Sequence, residues 1–320
     1  MTTPVVSEWM DKLGRIIEEY DIPPELIYNM DETSLEVGNG SAKVITKKNA
    51  PCPHVLTPSN GEHITLVLCV TAAGASVRPL CILPLKELPC LDPKTEHFFF
   101  ISGQDNGSIT QKIFLGWTIA ALIPHVQGTR RTIGRLRQWA LLLVDGHNSR
   151  DHMPSIIVLD QYWILVLVLP AHSSTVCQPL DLTVNHELKR ILSNYFKPKK
   201  GEPREETRIC LLNTAVKCLQ VALSGIYIQA GFARAGIWPF SRDAPLKSSL
   251  VRDPQDEVVK EAPAKKPRRI GISGKLLNDK IDMVATSSIK VPSLPLYPPS
   301  PLHQHPTYST NQQLPPQFNL

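Results

Sequence analysis

The order of its apolar runs constrains this chain more than any other feature of the sequence. Three runs of strand-like composition come first, at 26–31, 63–72 and 78–85, and two more follow at 139–144 and 163–170. Short aliphatic runs bounded by Gly, Pro or polar residues are typical of buried strands. A Gly-containing turn between the second and third runs predicts a hairpin. We therefore expect one sheet whose early strands are antiparallel.

Helical periodicity fills most of the chain between and after these runs. Apolar residues recur three and four positions apart over 6–20 and 179–196, and helical stretches are also expected over 109–126, 149–162 and 205–240. Antiparallel strands followed by strands joined through helices give the order of an RNase H-like fold. The predicted class is therefore α/β, with a mixed sheet flanked by helices.

Two stretches are less regular. Residues 43–47 are a candidate for a further strand, whereas 86–108 are expected to form a loop, since Pro89, Pro93 and Gly103 interrupt it.

The predicted organisation has four parts. Residues 1–24 form a helix that leads into the core, 25–200 form the core, and 201–245 add a helical segment to the same domain. From about residue 246 the chain becomes rich in Pro, Gln, Ser and Lys. Such composition predicts a disordered tail over 246–320, because it offers little apolar surface to bury.

Composition narrows the functional classes. The net charge of +5 is compatible with a polyanionic partner such as DNA. The seven cysteines contain no C-x-x-C pair, which argues against a disulfide scaffold or a zinc ribbon and favours a reducing, intracellular compartment. The N-terminus is not that of a signal peptide, and the longest apolar run is too short to cross a bilayer. We expect no membrane association and no small-molecule cofactor.

Three aspartates stand where strands and a helix meet. Asp31 and Asp145 each close an apolar run, and Asp181 falls in the first turn of a predicted helix. Carboxylates that converge from rigid elements can hold two divalent ions, which is the arrangement that assists phosphodiester cleavage. An isolated Asp at such a place is more often a cap or a solvated turn residue, so the surrounding sequence must decide.

That surrounding sequence carries four motifs. They are IYNMDET at Ile27–Thr33, LLVDGHNS at Leu142–Ser149, LPAHSSTVCQPLD at Leu169–Asp181 and GFARAGIWPF at Gly231–Phe240. Together they resemble the DDE superfamily endonuclease domain of pogo/Tigger/jerky-like transposases, a group related to mariner and to centromere-binding protein B. The resemblance covers roughly residues 6–242.

The resemblance implies a function and a site. Asp31, Asp145 and Asp181 would be catalytic ligands of two Mg²⁺ (or Mn²⁺) ions, and the reaction would be DNA strand cleavage followed by transfer. DNA is the expected partner, with homodimerisation as a further expectation. Family members usually carry N-terminal helix-turn-helix domains. Because this chain begins just before the catalytic domain, we expect a fragment, a truncated gene or a domesticated remnant.

Other polar residues are weaker candidates. Positions around the acids are assigned to His147, Asn148, His172, Gln178 and Asn185, although Asn148 is more readily a helix cap and Gln178 a turn residue. Glu32 is expected to face away from Asp31. Phosphate contacts are assigned to Arg130, Arg131, Lys189, Arg190 and Lys197, with a solvated basic face as the alternative.

A basic run in the tail, formed by Lys265, Lys266, Arg268 and Arg269, predicts a nuclear localisation signal and hence a nuclear protein. Two other functions remain open from sequence. One is a non-catalytic nuclear scaffold or DNA-binding protein that retains the fold, and the other is a ribonuclease H or exonuclease.

Overall fold

The computed structural model describes residues 2–37, 62–146, 153–199 and 201–251. These residues fall in the first of two units, which span 1–261 and 262–320. The strand expected over 43–47 and nearly all of the predicted tail lie outside the described residues.

A mixed six-stranded sheet forms the centre of the described part of the chain. Its strands lie in the order β4-β3-β2-β1-β5-β6. Their bounds are β1 Ile27–Val37, β2 Glu62–Thr71, β3 Leu80–Leu83, β4 Phe100–Gly103, β5 Ala140–Val144 and β6 Ile164–Val168.

The pairing directions confirm the predicted RNase H-like architecture. β1 pairs antiparallel with β2, and β2 pairs antiparallel with β3, as expected of the hairpin-linked early strands. On its other edge β1 pairs in parallel with β5, which pairs in parallel with β6. Parallel neighbours need crossover connections, and helices supply them here.

Helices flank the sheet. Their bounds are α1 Thr3–Glu19, α2 Pro93–Phe98, α3 Gln111–Trp117, α4 Ile123–Thr132, α5 Met153–Gln161, α6 Ser174–Cys177, α7 Pro179–Leu182, α8 Val184–Tyr195, α9 Arg204–Ala222 and α10 Gly225–Arg234.

Alternate residues of β1 face two different helical layers. Tyr28 is fully buried, and its hydroxyl lies 3.1 Å from Nδ1 of His125 on α4. Burial raises the pKa of Tyr28 and lowers that of His125, so both are favoured in their neutral forms. Asn29, the next residue, faces the opposite layer, where its side chain bonds the backbone of Leu180 on α7.

The expected loop over 86–108 is wrong in part, because α2 and β4 lie within it. Pro93 begins a helix rather than ending one: Asp92 caps it by accepting a hydrogen bond from the Lys94 amide at 2.8 Å. A proline in the first turn loses no helical hydrogen bond, because that amide has no partner within the helix. The following strand pairs in parallel with β3 and adds the sixth strand.

Two predicted helices are divided in the structure. The helix expected over 109–126 continues to Thr132 and contains a π-helical segment at Thr118–Leu122. The helix expected over 179–196 is broken at Thr183, whose backbone leaves the helical region with φ −144° and ψ −70°. This break separates α7 from α8.

Asp31 does not end a strand, contrary to the sequence prediction. β1 continues to Val37, and side chains 31, 33, 35 and 37 are buried while 34 and 36 are exposed. Asp31 marks only the end of the continuously buried part of β1, because a segment in which buried and exposed side chains alternate follows it. What does end near Asp31 is the pairing with β5, whose last registered pair is Met30 with Val144.

Candidate metal centre

Strand register places the first two acids side by side. Met30 and Val144 are paired in the parallel β1–β5 ladder; Asp31 follows Met30 within β1, and Asp145 follows Val144, the last residue of β5. Neighbouring strands lie about 4.8 Å apart, and residues at matched positions of parallel strands face the same side. Asp31 is 7% exposed, whereas Asp145 is half-buried. The two acids therefore share one face at the end of the β1–β5 pairing.

The third acid reaches the first through an asparagine. Nδ2 of Asn185, the second residue of α8, donates to Oδ2 of Asp31 at 2.8 Å and to Oδ1 of Asp181 at 3.0 Å. Both acceptors are carboxylate oxygens, so the nitrogen end of the amide must face them. A single –NH₂ group therefore links Asp31 on β1 with Asp181 on α7.

A buried polar network holds α7 against the two central strands. Asn29 donates to the Leu143 carbonyl at 3.2 Å and to Oε1 of Gln178 at 3.1 Å, and its own Oδ1 accepts from the Leu180 amide at 3.1 Å. Gln178 donates to the Met30 carbonyl at 3.2 Å. Both side chains are 0% exposed. Since Asp181 follows Leu180 directly, the network fixes the backbone that carries the third acid.

Helix α10, in which the motif at Gly231–Phe240 begins, packs against α7 and the helix break at Thr183. The Thr183 hydroxyl donates to the carbonyl of Tyr227 on α10 at 2.8 Å. Gly231, the first residue of that motif, lies so close to α7 that an added Cβ would stand 2.5 Å from the Pro179 carbonyl oxygen. Arg234 donates to the Leu182 carbonyl at 3.2 Å. The motif at Gly231–Phe240 therefore supports the helix break beside Asp181.

The other predicted residues around the acids have different placements. Gln178 and Asn185 are buried in the contacts above. His172 lies in the exposed turn after β6, with a left-handed φ of 61°. His147 and Asn148 lie outside the described residues, as do the four basic residues predicted to form the nuclear localisation signal. Sequence reasoning did not single out Asn29, although its place two residues before Asp31 was the available signal.

Arg130 belongs to the core rather than to a basic surface, which corrects the prediction that it contacts DNA. It is 5% exposed, and its guanidinium donates to the carbonyls of Tyr162 and Trp163 at 2.9 and 2.8 Å. The neighbouring Arg131 is exposed and lies before the first residue of β5, whereas Asp145 follows the last. The five residues of β5 separate these ends by about 16 Å.

Two of the other predicted basic residues, Lys189 and Arg190, lie on α8, the helix that carries Asn185, and Lys197 follows its end. Lys189 is exposed one turn beyond Asn185, on the same helix face. Lys197 is also exposed and donates to the Ser193 carbonyl. Arg190 makes a two-pronged ion pair with Glu187, with N···O distances of 2.7 and 2.8 Å. That guanidinium, together with the Tyr227 hydroxyl, holds the pKa of Glu187 below its usual value.

The cysteine next to this centre is buried. Cys177 precedes Gln178 and is 0% exposed, and burial raises the pKa of its thiol to about 11. The thiolate, which is the reactive form, is therefore disfavoured near neutral pH.

The donor set fits a divalent cation, although the carboxylates are not gathered into a complete cage. Within the described residues, no three His, Cys, Asp or Glu side chains stand close enough to hold a metal ion as placed. Oδ1 of Asn185, whose Nδ2 bonds Asp31 and Asp181, is buried and has no hydrogen-bond partner in the described part of the chain. Carboxylate and amide oxygens are the hard ligands that Mg²⁺ and Mn²⁺ accept.

Comparison with known proteins gives a family match and a distant curated relative. The model of the DDE superfamily endonuclease family matches residues 61–229, a span that includes Asp145 and Asp181 and begins downstream of Asp31. A protein of Cochliobolus lunatus named MFS-type transporter clz9 is 26% identical over 255 residues, covering 78% of this chain and 27% of that protein. The chain thus spans about a quarter of the length of this relative.

Solved structures of similar topology include those of Mos1 mariner transposase. Its paired-end complex with Mn aligns with a TM-score of 0.45 and 13% identity, over 73% of this chain and 60% of that one. Its catalytic domain aligns with a TM-score of 0.40 and 11% identity, over 70% and 96% of the two chains.

Among the described residues, no single helix is long and apolar enough to cross a bilayer. The helices α9 and α10, bent by 66° at their junction, reach that length and composition only as a pair.

Proposed function

The chain belongs to the DDE superfamily endonucleases, and we propose that it cleaves DNA strands and transfers the resulting ends, with Asp31, Asp145 and Asp181 as the catalytic carboxylates. The observation that carries this proposal is the amide of Asn185, which binds Asp31 and Asp181 together. Asp145 adjoins Asp31 through the register of β1 and β5. A non-catalytic scaffold has no need to keep such acids together, because like charges repel.

The three carboxylates are the proposed ligands of two divalent ions, Mg²⁺ or Mn²⁺. When bound, such ions would activate an attacking water or 3′-hydroxyl and stabilise the leaving oxygen. The contribution of the protein is to hold the carboxylates in position. Asn29 and Gln178 fix the start of α7, so that Asp181 is presented from a rigid element, as precise catalysis requires.

DNA is the proposed substrate, and its proposed binding surface is the exposed face of α8 together with Lys197, which follows that helix. Lys189 and Lys197 would neutralise phosphates of the DNA backbone where the DNA extends away from the acids. Arg190 is committed to Glu187 and would contribute less. Membership of the pogo/Tigger group and action as a homodimer remain proposals. A nuclear location is also proposed, supported by the basic run at residues 265–269.

Cleavage of DNA by the purified chain tests the catalytic proposal. Supercoiled plasmid is incubated with the protein and either Mg²⁺, Mn²⁺ or EDTA, and nicked and linear products are measured on gels. We expect cleavage with either metal and none with EDTA. Asp31→Asn, Asp145→Asn and Asp181→Asn should each lower the rate by roughly 1,000-fold, because each removes a charged ligand.

The matched control is Asp160→Asn, which neutralises an exposed carboxylate on α5. It should cleave at the wild-type rate. Nicking that persists in EDTA, or that Asp145→Asn leaves unchanged, would show that another site or a contaminating nuclease is responsible.

A further inference from the structure

The amide of Asn185 has an unusual hydrogen-bond balance. The side chain is 3% exposed, and both of its N–H groups are used on carboxylates, one from Asp31 and one from Asp181. Its Oδ1 is buried and has no hydrogen-bond partner among the residues that the structure describes. A buried polar atom without a partner is costly, and native proteins keep such atoms mainly where function requires them. The orientation of this amide thus serves the acids rather than its own hydrogen bonding.

The position of Nδ2 is the position in which a cation would be most useful. Two carboxylates that share one partner repel each other unless positive charge or hydrogen-bond donors lie between them. The –NH₂ group supplies two donors at 2.8 and 3.0 Å, and charge-assisted hydrogen bonds of this kind are about twice as strong as neutral ones. A divalent ion would fill the same role with a full charge.

We propose that Asn185 is a positioning residue that takes the place of a divalent cation between Asp31 and Asp181 while the site is metal-free, and that a bound cation replaces it. The amide keeps the two acids at a separation suited to an ion and prevents their mutual repulsion from opening α7 away from β1. Once the ion binds, the acids no longer need the amide. This inference rests on the proposed metal site.

The proposal predicts that the stabilising effect of Asn185 depends on metal. Thermal unfolding is measured for the wild-type chain and for Asn185→Ala, in EDTA and in saturating Mg²⁺ or Mn²⁺. In EDTA the variant should unfold at a temperature lower by roughly 5–10 °C, because two charge-assisted hydrogen bonds are lost. In the metal solution the difference in unfolding temperature should fall to less than about half of its value in EDTA. The reason is that the ion binds the folded state and replaces the amide between the two acids.

Asn185→Asp provides a second variant with a stronger expected response. It replaces the two donors with a further carboxylate, so it should be less stable than Asn185→Ala in EDTA and gain more from metal. Asn213→Ala is the control. Asn213 lies on α9, where its Oδ1 accepts from Thr95 at 2.7 Å, and its loss should lower the unfolding temperature equally in both solutions.

The outcomes separate the two proposals. If wild type gains stability from metal but the Asn185→Ala difference is equal in both solutions, Asn185 is an ordinary structural residue and this inference fails alone. If neither Asn185 variant folds even with metal, the inference fails in the same way. If metal does not stabilise wild type at all, the inference and the metal site of the proposed function fail together. Folding of the variants only in metal would support it.

Discussion

Asn29 shows at the scale of one residue how a buried polar group on β1 can position a carboxylate, that of Asp181, on another element. Its side chain has no exposed surface, and its three hydrogen bonds reach β5, Gln178 and the α7 backbone. Both N–H groups and the carbonyl oxygen of the Asn29 amide are thereby hydrogen-bonded. A fully satisfied buried network is rigid, because each member lacks water as an alternative partner.

Removing Asn29 tests this network. Asn29→Ala leaves the Leu180 amide and Oε1 of Gln178 without their partner, so we expect a loss of about 2–5 kcal/mol in the free energy of unfolding, measured with urea. Asn29→Ala and Gln178→Ala together should cost less than the sum of the single changes, by about 1–2 kcal/mol. Strictly additive losses would mean that the two side chains act independently.

At the scale of elements, the site depends on how closely α10 approaches the break between α7 and α8. Gly231 faces the Pro179 carbonyl, and a Cβ there would also stand 2.6 Å from Oγ1 of Thr183. The absence of a side chain lets the two elements approach. The approach allows Thr183 to donate to Tyr227 and so to hold the break that presents both Asp181 and Asn185.

Gly231→Ala should therefore damage both stability and activity. The added methyl group must displace backbone rather than a flexible side chain, so we expect a loss of about 1–3 kcal/mol in urea unfolding and slower DNA cleavage. Gly128→Ala is the matched control, because this helical glycine has open space around its Cβ position. It should be neutral or stabilise by up to about 1 kcal/mol. Equal effects of the two changes would contradict the close approach.

At the scale of the whole molecule, the exposed basic residues that are proposed to contact DNA lie in two separate places. Lys189 lies on α8, which contacts the acids through Asn185, and Lys197 follows the end of that helix. Arg131 lies beyond the opposite end of β5. If DNA is cut at the acids, as proposed, contact with Lys189 needs it only to continue along α8. Its contact with Arg131 would require it to extend along the full length of the strand.

The salt dependence of DNA binding distinguishes the two surfaces. Lys189→Ala and Lys197→Ala should each reduce the slope of log K against log salt by about 1, because each removes one phosphate contact. Lys112→Ala, an exposed change on α3, should leave the slope unchanged. A reduction for Arg131→Ala with none for Lys189→Ala or Lys197→Ala would place the DNA at the opposite end of the sheet.

The periodicity of apolar residues predicted much of the fold, because strands and helices have different periods. The prediction failed where tertiary contacts, rather than local periodicity, set the end or the break of an element. Helical periodicity runs through Thr183, yet α10 holds a break there. The acid at position 31 suggested a strand end, yet the alternating residues after it pair with β2 as far as Val37.

The sequence by itself determined the three acids, their motifs and the order of elements that brings them to one sheet. Only the tertiary structure decided what surrounds them. Asn29 meets Gln178 across 149 residues of chain, and Asn185 meets Asp31 across 154. The physical reason is that periodicity reports whether a position is apolar. The partner of a buried polar group depends instead on how distant elements pack, and that packing gave Asn185 its place between two acids and removed Arg130 from the surface.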